Sequence, residues 1–398
     1  MNDPDPYADD PFFKFIPDGD WNACIGRQGE EENYIDGYIE ASIQLVEAIF
    51  EKNLLGHRDT LILPILYNAR HGIELALKYC AFRLEVAGCI QQGILRRNHD
   101  ISAYEKILHD AKIGDEKLKS LLNALHPFVE SLARIDSDGQ ELRYHENRDN
   151  GASLQRYSVA NLRLIRESLQ TLREVVSGLT YRVVDYISER GTGTCTDDCS
   201  RSDLLAIARL LPKRDKWDSQ DFSDAREHIR KRFGLSSGAF TRHLDLIQRN
   251  REMRAAIGLE TDLSFLTDET IASVAEEWRR IHPRRTAESR SLRTSFRFDL
   301  KDILTDRSNQ REIVDGLVGR LSLDELAELQ ALFYLGRDPY FTEFYEDAVR
   351  RCRRQPELIS NPSGYLSRIL DKTNLLTCLQ RSTHRLGRLA LATRLSDI

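Results

Sequence analysis

The sequence predicts an all-α protein, and three observations carry that prediction. Apolar residues recur at three- and four-residue intervals in segment after segment, the spacing that gives a helix one buried face. No stretch of useful length alternates apolar and polar residues as a half-buried strand does, and no repeat of fixed period runs through the chain. With 398 residues and 41% hydrophobic content, the chain is long enough for two or three domains that each bury a core.

Residues 1–35 read as an acidic arm. Residues 1–40 hold eleven acids against Lys14 and Arg27, a net charge of −9. Four prolines and the cluster Phe12, Phe13 and Phe15 point to an extended segment with an aromatic plug. From Asp36, placed as an N-cap, Ile39, Ile43, Val46 and Ile49 mark a first helix. A longer one runs from Asp59 to Val86, with Ile73, Leu77, Cys80 and Leu84 on one stripe. Shorter helices follow near Ser102–Ala111 and Glu116–Arg134, then a polar loop, Asp136–Ser153. A long helix near Val159–Glu189 carries Leu162, Ile165, Leu169, Leu172, Val176 and Leu179 in register. Residues 36–190 thus form an antiparallel helical bundle, followed by smaller helical domains.

The small, polar stretch Gly191–Ser202 reads as a linker. Residues 203–280 form a middle helical segment and 281–307 a basic connector. Between Arg279 and Phe298 stand Arg279, Arg280, Arg284, Arg285, Arg290, Arg293 and Arg297 against Glu288 alone, with Pro283 breaking any helix. Residues 308–398 are helical again, with Leu317, Leu321, Leu326, Leu329 and Leu332 leading to Gly336.

Charge and motifs exclude several function classes. A net charge of −6 and a pI near 6.0 rule out a globally basic nucleic-acid binder, although 45 Arg against twelve Lys leave room for local basic patches. Seven cysteines and an acidic start without an apolar signal segment predict a cytoplasmic chain with free thiols. The longest apolar run, Leu61–Leu66, and a mean hydropathy of −0.47 predict no membrane partner. Cys195 and Cys199 lack the second ligand pair that zinc needs, so no metal is expected. Phosphate-cradling glycine loops, zincin helices and nucleophile elbows are absent, and no cofactor is expected.

The most informative stretch is Tyr67–Tyr79, YNARHGIELALKY. At ~100° per residue, with Arg70 at 0°, the apolar stripe centres near ~310°, while Glu74 falls at ~40° and Lys78 at ~80°. Arg70 and Glu74 therefore sit at the edge of the core. One reading is a boundary ladder of ion pairs, Arg70–Glu74–Lys78; the other is a polar groove in which Arg70 clamps an anion.

This helix, the His99-Asp100-Ile101 turn and the Leu142-Arg143-Tyr144 loop resemble uncharacterised bacterial proteins of the HEPN superfamily. NYIDGYIEA and DTLILPILYNARH are also similar to that group, and the resemblance covers about residues 22–188. It implies a four-to-five-helix bundle that forms a homodimer and, in many members, acts as a metal-independent ribonuclease in phage defence. Catalytic members carry Arg, then four to six residues, then His. None of the ten histidines here has an Arg at that offset.

Two further segments carry partial likenesses. IRKRFGLSSGAFTRHLDLI resembles a helix-turn-helix, with Gly234 at the turn, Ser236 or Ser237 as N-cap and Arg230 where a small residue normally stands; a plain helical hairpin is the other reading. Residues 315–390 resemble a short bacterial C-terminal domain of unknown function, through a Leu-Gly-Arg turn and a Tyr-Leu segment. The expected function is a non-catalytic interaction or nucleic-acid-sensing protein of phage defence or stress response. Lys78 and the connector arginines are placed as contacts to RNA, DNA or an acidic protein. The alternative is a divergent endoribonuclease using Arg70, His71, Glu74 and Arg143.

Overall fold

The computed structural model describes residues 10–14, 19–26, 29–95, 98–146, 151–154, 157, 159–283, 300–338 and 340–398. Among these residues the chain is all-α: 17 α-helices, short 3-10 turns and a lone bridge between Glu146 and Ala152, with no strand. None of these helices is long and apolar enough to cross a membrane. The described residues divide into two compact units, one within 1–113 and 117–187, the other within 114–116 and 188–398.

The first unit is built on α1 (Glu31–Glu51), α2 (Arg58–Val86), α3 (Ile101–Asp110), α4 (Glu116–Ile135) and α5 (Leu162–Arg190). Helix α1 starts ahead of Asp36, and its N-cap, Glu30, makes no side-chain capping bond. Glu31 and Glu32 occupy the first turn instead, where carboxylates favour the positive end of the helix dipole. Asp36 is therefore an exposed mid-helix residue, and Ile35, assigned to the arm by sequence, is core. Phe12 and Phe13 are exposed, and Phe15 lies outside the described residues.

Helices α1 and α2 pack closely because Gly72 faces Ile39. A Cβ at position 72 would lie 2.6 Å from Ile39 Cγ1. Ser42 Oγ donates to the Ile65 carbonyl at 2.7 Å, and the Tyr79 hydroxyl donates to Glu32 Oε1 across the shared face. Asp100 caps α3 by accepting from the Ala103 N–H at 3.0 Å. Leu122, Leu125 and Val129 of α4 meet Leu172, Val176 and Leu179 of α5 in one core with the apolar stripes of α1 and α2.

The second unit holds two cores. Helices α6 (Arg201–Leu210), α7 (Gln220–Phe233), α8 (Ser237–Arg249) and α9 (Arg251–Ala256) enclose Leu204, Ile207, Phe240, Ile247 and Met253. The stretch read as a linker ends inside this core. Cys199 is fully buried, and Ser200 and Asp203 cap α6 reciprocally. Burial and the neighbouring Asp115 push the Asp203 carboxyl up to about 6. Between α7 and α8, Gly234 takes the left-handed conformation at φ 66° that closes a helix, and Ser236 caps the next by accepting from Ala239 N–H. Arg230 does not obstruct this turn, since its Nε donates to the Leu235 carbonyl at 3.2 Å.

The other core gathers α10 (Asp268–Ile281), α11 (Leu300–Val318), α12 (Leu323–Arg337), α13 (Tyr345–Arg353), α14 (Pro356–Ser360), α15 (Pro362–Leu370), α16 (Leu375–Arg385) and α17 (Leu389–Asp397). Helix α10, which the sequence groups with the middle segment, contributes Ile271, Val274 and Trp278 to this core. Arg201 joins the two cores: Nε donates to Glu343 Oε1 at 2.7 Å, NH2 to Glu252 Oε2 at 2.6 Å, and the guanidinium lies 4.8 Å from the Phe341 ring centroid.

Leu335-Gly336-Arg337, expected as a turn, is the last turn of α12. Gly336 is required by packing, because a Cβ there would lie 1.8 Å from the Cys378 carbonyl oxygen of α16. Gly336→Ala should therefore destabilise the protein by at least ~1–3 kcal/mol, the usual cost of overpacking a tight contact. Chemical denaturation checks this, with an unchanged midpoint as the contrary result.

Candidate nucleic-acid interface

Helix α2 brings Arg70, His71, Glu74 and Lys78 into one region because residues four apart share a helix face. Arg70 and Glu74 do not stand at the core edge: they are 1% and 2% exposed. Depth follows from what surrounds them. Arg70 Nε donates to the Asp136 carbonyl at 2.7 Å, NH1 to Glu74 Oε2 at 3.0 Å, and NH2 to the His99 and Ser137 carbonyls at 2.7 and 3.2 Å. Asp136 adds a carboxylate oxygen 3.9 Å from Nε. An arginine with this many protein acceptors, and no exposed face, has nothing left to clamp a phosphate.

Glu74 is the counter-charge. Its Oε1 accepts from Lys78 Nζ at 2.6 Å and lies 2.8 Å from His99 Nδ1. Burial alone raises the Glu74 carboxyl, but the hydrogen bonds from Lys78 and His99 outweigh it and hold the group below the ordinary carboxylate value. Lys78 is about a third exposed and also lies over the Tyr104 ring, so its charge is largely committed.

The buried arginine also organises the loop after α4. Asp136 accepts from the Gln140 and Leu142 N–H groups at 2.8 and 3.2 Å, turning the chain back over α2. Gly139, at φ 80°, is the residue that touches the guanidinium: a Cβ there would lie 3.2 Å from Arg70 NH1. The Gly139 carbonyl in turn accepts from Arg143 Nε. Arg143 is exposed, with its guanidinium 5.8 Å from the Tyr67 ring centroid and 5.3 Å from that of Tyr144.

Tyr67 stacks on His71 with centroids 5.8 Å apart and planes 7° from parallel, and Tyr38 of α1 meets His71 edge-on at 4.4 Å. Tyr38, Tyr67 and His71 are half-buried and Tyr144 is exposed. Burial lowers the His71 pKa from 6.5, against the pull of Glu74, so the imidazole is mostly neutral at pH 7. The result is one stacked pair, Tyr67 and His71, with Tyr38 edge-on to it and the exposed Arg143 guanidinium beside Tyr67 and Tyr144. Sequence reading found Arg143 and His71 but missed Tyr38 and Tyr67; the i,i+4 spacing of Tyr67 and His71 was the available signal.

The remaining expected contacts lie elsewhere. Arg279 Nε donates to the Ile398 carbonyl at 3.0 Å and Arg280 pairs with Glu277 at 2.7 Å, so both close the end of α10. Arg284, Arg285, Arg290, Arg293 and Arg297 lie outside the described residues. None of the seven cysteines forms a disulfide, and no group of three or more metal-ligating side chains is gathered among the described residues. Comparison of the chain with protein-family models, curated proteins and solved structures finds no match in any of the three.

Arg70→Ala should cost ~3–5 kcal/mol, as removal of one partner strands the other charge in the core. Because the folded Glu74 pKa is depressed, its contribution is complete above the unfolded value of 4.5 and is lost as pH falls through the folded value. Denaturation midpoints measured from pH 7 to pH 3 should show this acid loss, and Glu74→Gln should lack that component. An Arg70→Ala protein as stable as the parent refutes the structural role.

Proposed function

We propose that the chain is a non-catalytic nucleic-acid-sensing protein that holds single-stranded RNA on the Tyr38–Tyr67–His71–Tyr144 strip, with Arg143 against the backbone. The observation that carries this is the division of labour between two arginines. Arg70 is consumed inside the fold, and the loop it secures presents Arg143 beside flat, accessible rings. Stacking of bases on aromatic side chains, with a cation alongside, is the sequence-tolerant mode by which proteins hold single strands. The HEPN-like motifs support the same reading, and with it a role in bacterial phage defence or stress response. A homodimer is part of this proposal, supported by apolar side chains that the long helices α2 and α5 leave in solvent, Phe82, Val86, Leu164 and Tyr181.

A second reading, a metal-independent endoribonuclease, has one observation in its favour. Arg143 and the neutral His71 flank the same Tyr67 ring although they come from different elements, a pairing that needs no sequence spacing. One experiment separates the two. Labelled single-stranded RNA should bind in an anisotropy titration, more weakly at higher salt. Tyr67→Ala and Arg143→Ala should each weaken it about tenfold, since one stacked base is worth ~1–3 kcal/mol. The RNA should stay intact on a gel. Cleavage that disappears in His71→Ala and Arg143→Ala decides for the nuclease, and unaltered binding in both variants refutes the interface. Light scattering of the same sample should give twice the 45.8 kDa chain mass.

A further inference from the structure

The second unit carries a cleft that the RNA reading does not use. It opens between the end of α12 and the start of α13 as two adjoining cavities of about 480 and 340 Å³, which share Tyr340, Phe344 and Arg351. Helix α13 is two-faced at this point. Tyr345 and Val349 point into the core, while Phe344, Asp347, Arg351 and Arg354, spaced three and four apart, line the cleft. The facing wall is α12, which presents Gln330 and Tyr334 four residues apart, with Ala331 and Ala348 keeping the space between the helices open.

The charges in the cleft are unequally spent. Arg350 pairs with Asp347, and Arg337 makes two bonds to Asp338, at 2.7 and 2.9 Å, while stacking 4.5 Å from the Tyr334 centroid. Arg351 and Arg354 are exposed and make no side-chain hydrogen bond or ion pair among the described residues. They stand four and seven residues beyond Asp347 on the same face, at the mouth lined by Tyr340 and Phe344. At the other end of the cleft, Gln330 Oε1 is out of water and has no donor.

We infer that this cleft binds a nucleoside phosphate, with the phosphate on Arg351 and Arg354 and the base against Tyr334, Tyr340 and Phe344. Two uncommitted guanidiniums match the planar, multi-acceptor geometry of a phosphate. Aromatic walls suit a flat heterocycle. The volumes fall within the range of small-molecule sites, roughly 300–1,000 Å³. An anion alone needs the arginines but not the rings, and an apolar ligand needs the rings but not the arginines. A phosphorylated heterocycle uses both.

Isothermal titration of the full chain with AMP, GMP, CMP and UMP, with adenosine and with inorganic phosphate tests this. At least one monophosphate should bind at least tenfold more tightly than adenosine and than phosphate. The double variant Arg351→Glu, Arg354→Glu should weaken it at least tenfold, and Tyr340→Ala at least threefold. All three positions are exposed, so unchanged thermal unfolding will show that the variants fold. Binding should survive Arg143→Ala, which keeps this site distinct from the RNA strip. No binding at millimolar nucleotide, phosphate binding as tightly as any monophosphate, or affinity indifferent to the arginine variants would overturn the inference.

Discussion

The buried ion pair between Arg70 and Glu74 is the constraint on which the first unit's surface depends. A guanidinium taken out of water must be met by acceptors on every side, or its desolvation cost is not recovered. Here the acceptors come from three separate stretches of chain: α2 itself, the His99 carbonyl before α3, and the Asp136 and Ser137 carbonyls after α4. One side chain therefore fixes two loops on one helix. The Asp136 loop, folded over the guanidinium through Gly139, is what carries Arg143 to the rings of Tyr67 and Tyr144. The surface feature is a by-product of a solvation requirement in the interior.

The second unit meets a comparable requirement differently. Its two apolar cores are joined by Arg201, which reaches Glu252 beside one and Glu343 beside the other. Burial opposes the charge on Arg201, yet the carboxylates reverse that, and Glu343 is correspondingly held below its usual value despite its own burial. Glu343 is followed directly by Phe344, the residue at the mouth of the α12–α13 cleft. The arginine joint and the cleft wall are consecutive in the chain, so the joint helps to fix where that wall stands.

What was legible in the sequence was whatever is local. The apolar stripes of α1, α2 and α5 are periodic within one helix, and each is buried as that period requires. The order Arg70, Glu74, Lys78 also reads directly, because i,i+4 neighbours meet on any helix. The depth of that ladder did not, because most of Arg70's acceptors are backbone carbonyls 29 to 67 residues away, and a carbonyl leaves no mark in a sequence. Gly336 shows the same limit from the other side. Local propensity assigns it to a turn, whereas the Cys378 backbone, far along the chain, makes it a helix residue that must lack a side chain. Similarly, Asp36 has the chemistry of a cap, but Glu31 and Glu32 satisfy the helix dipole earlier and the buried Ile35 extends the helix backwards. The segments RHGIELALK and His99-Asp100-Ile101 fall on structural parts of the bundle: Ile73 and Leu77 are core, and Asp100 is a cap.

Both joints are built on arginine in a chain that has 45 of them and only twelve lysines. A buried lysine can escape its burial by giving up a proton, but a guanidinium cannot at any pH a protein meets. The guanidinium of each joint is thus a permanent charge. The joints are asymmetric locks. Since the guanidinium keeps its charge, each opens by neutralising the acid or by pulling the partners apart.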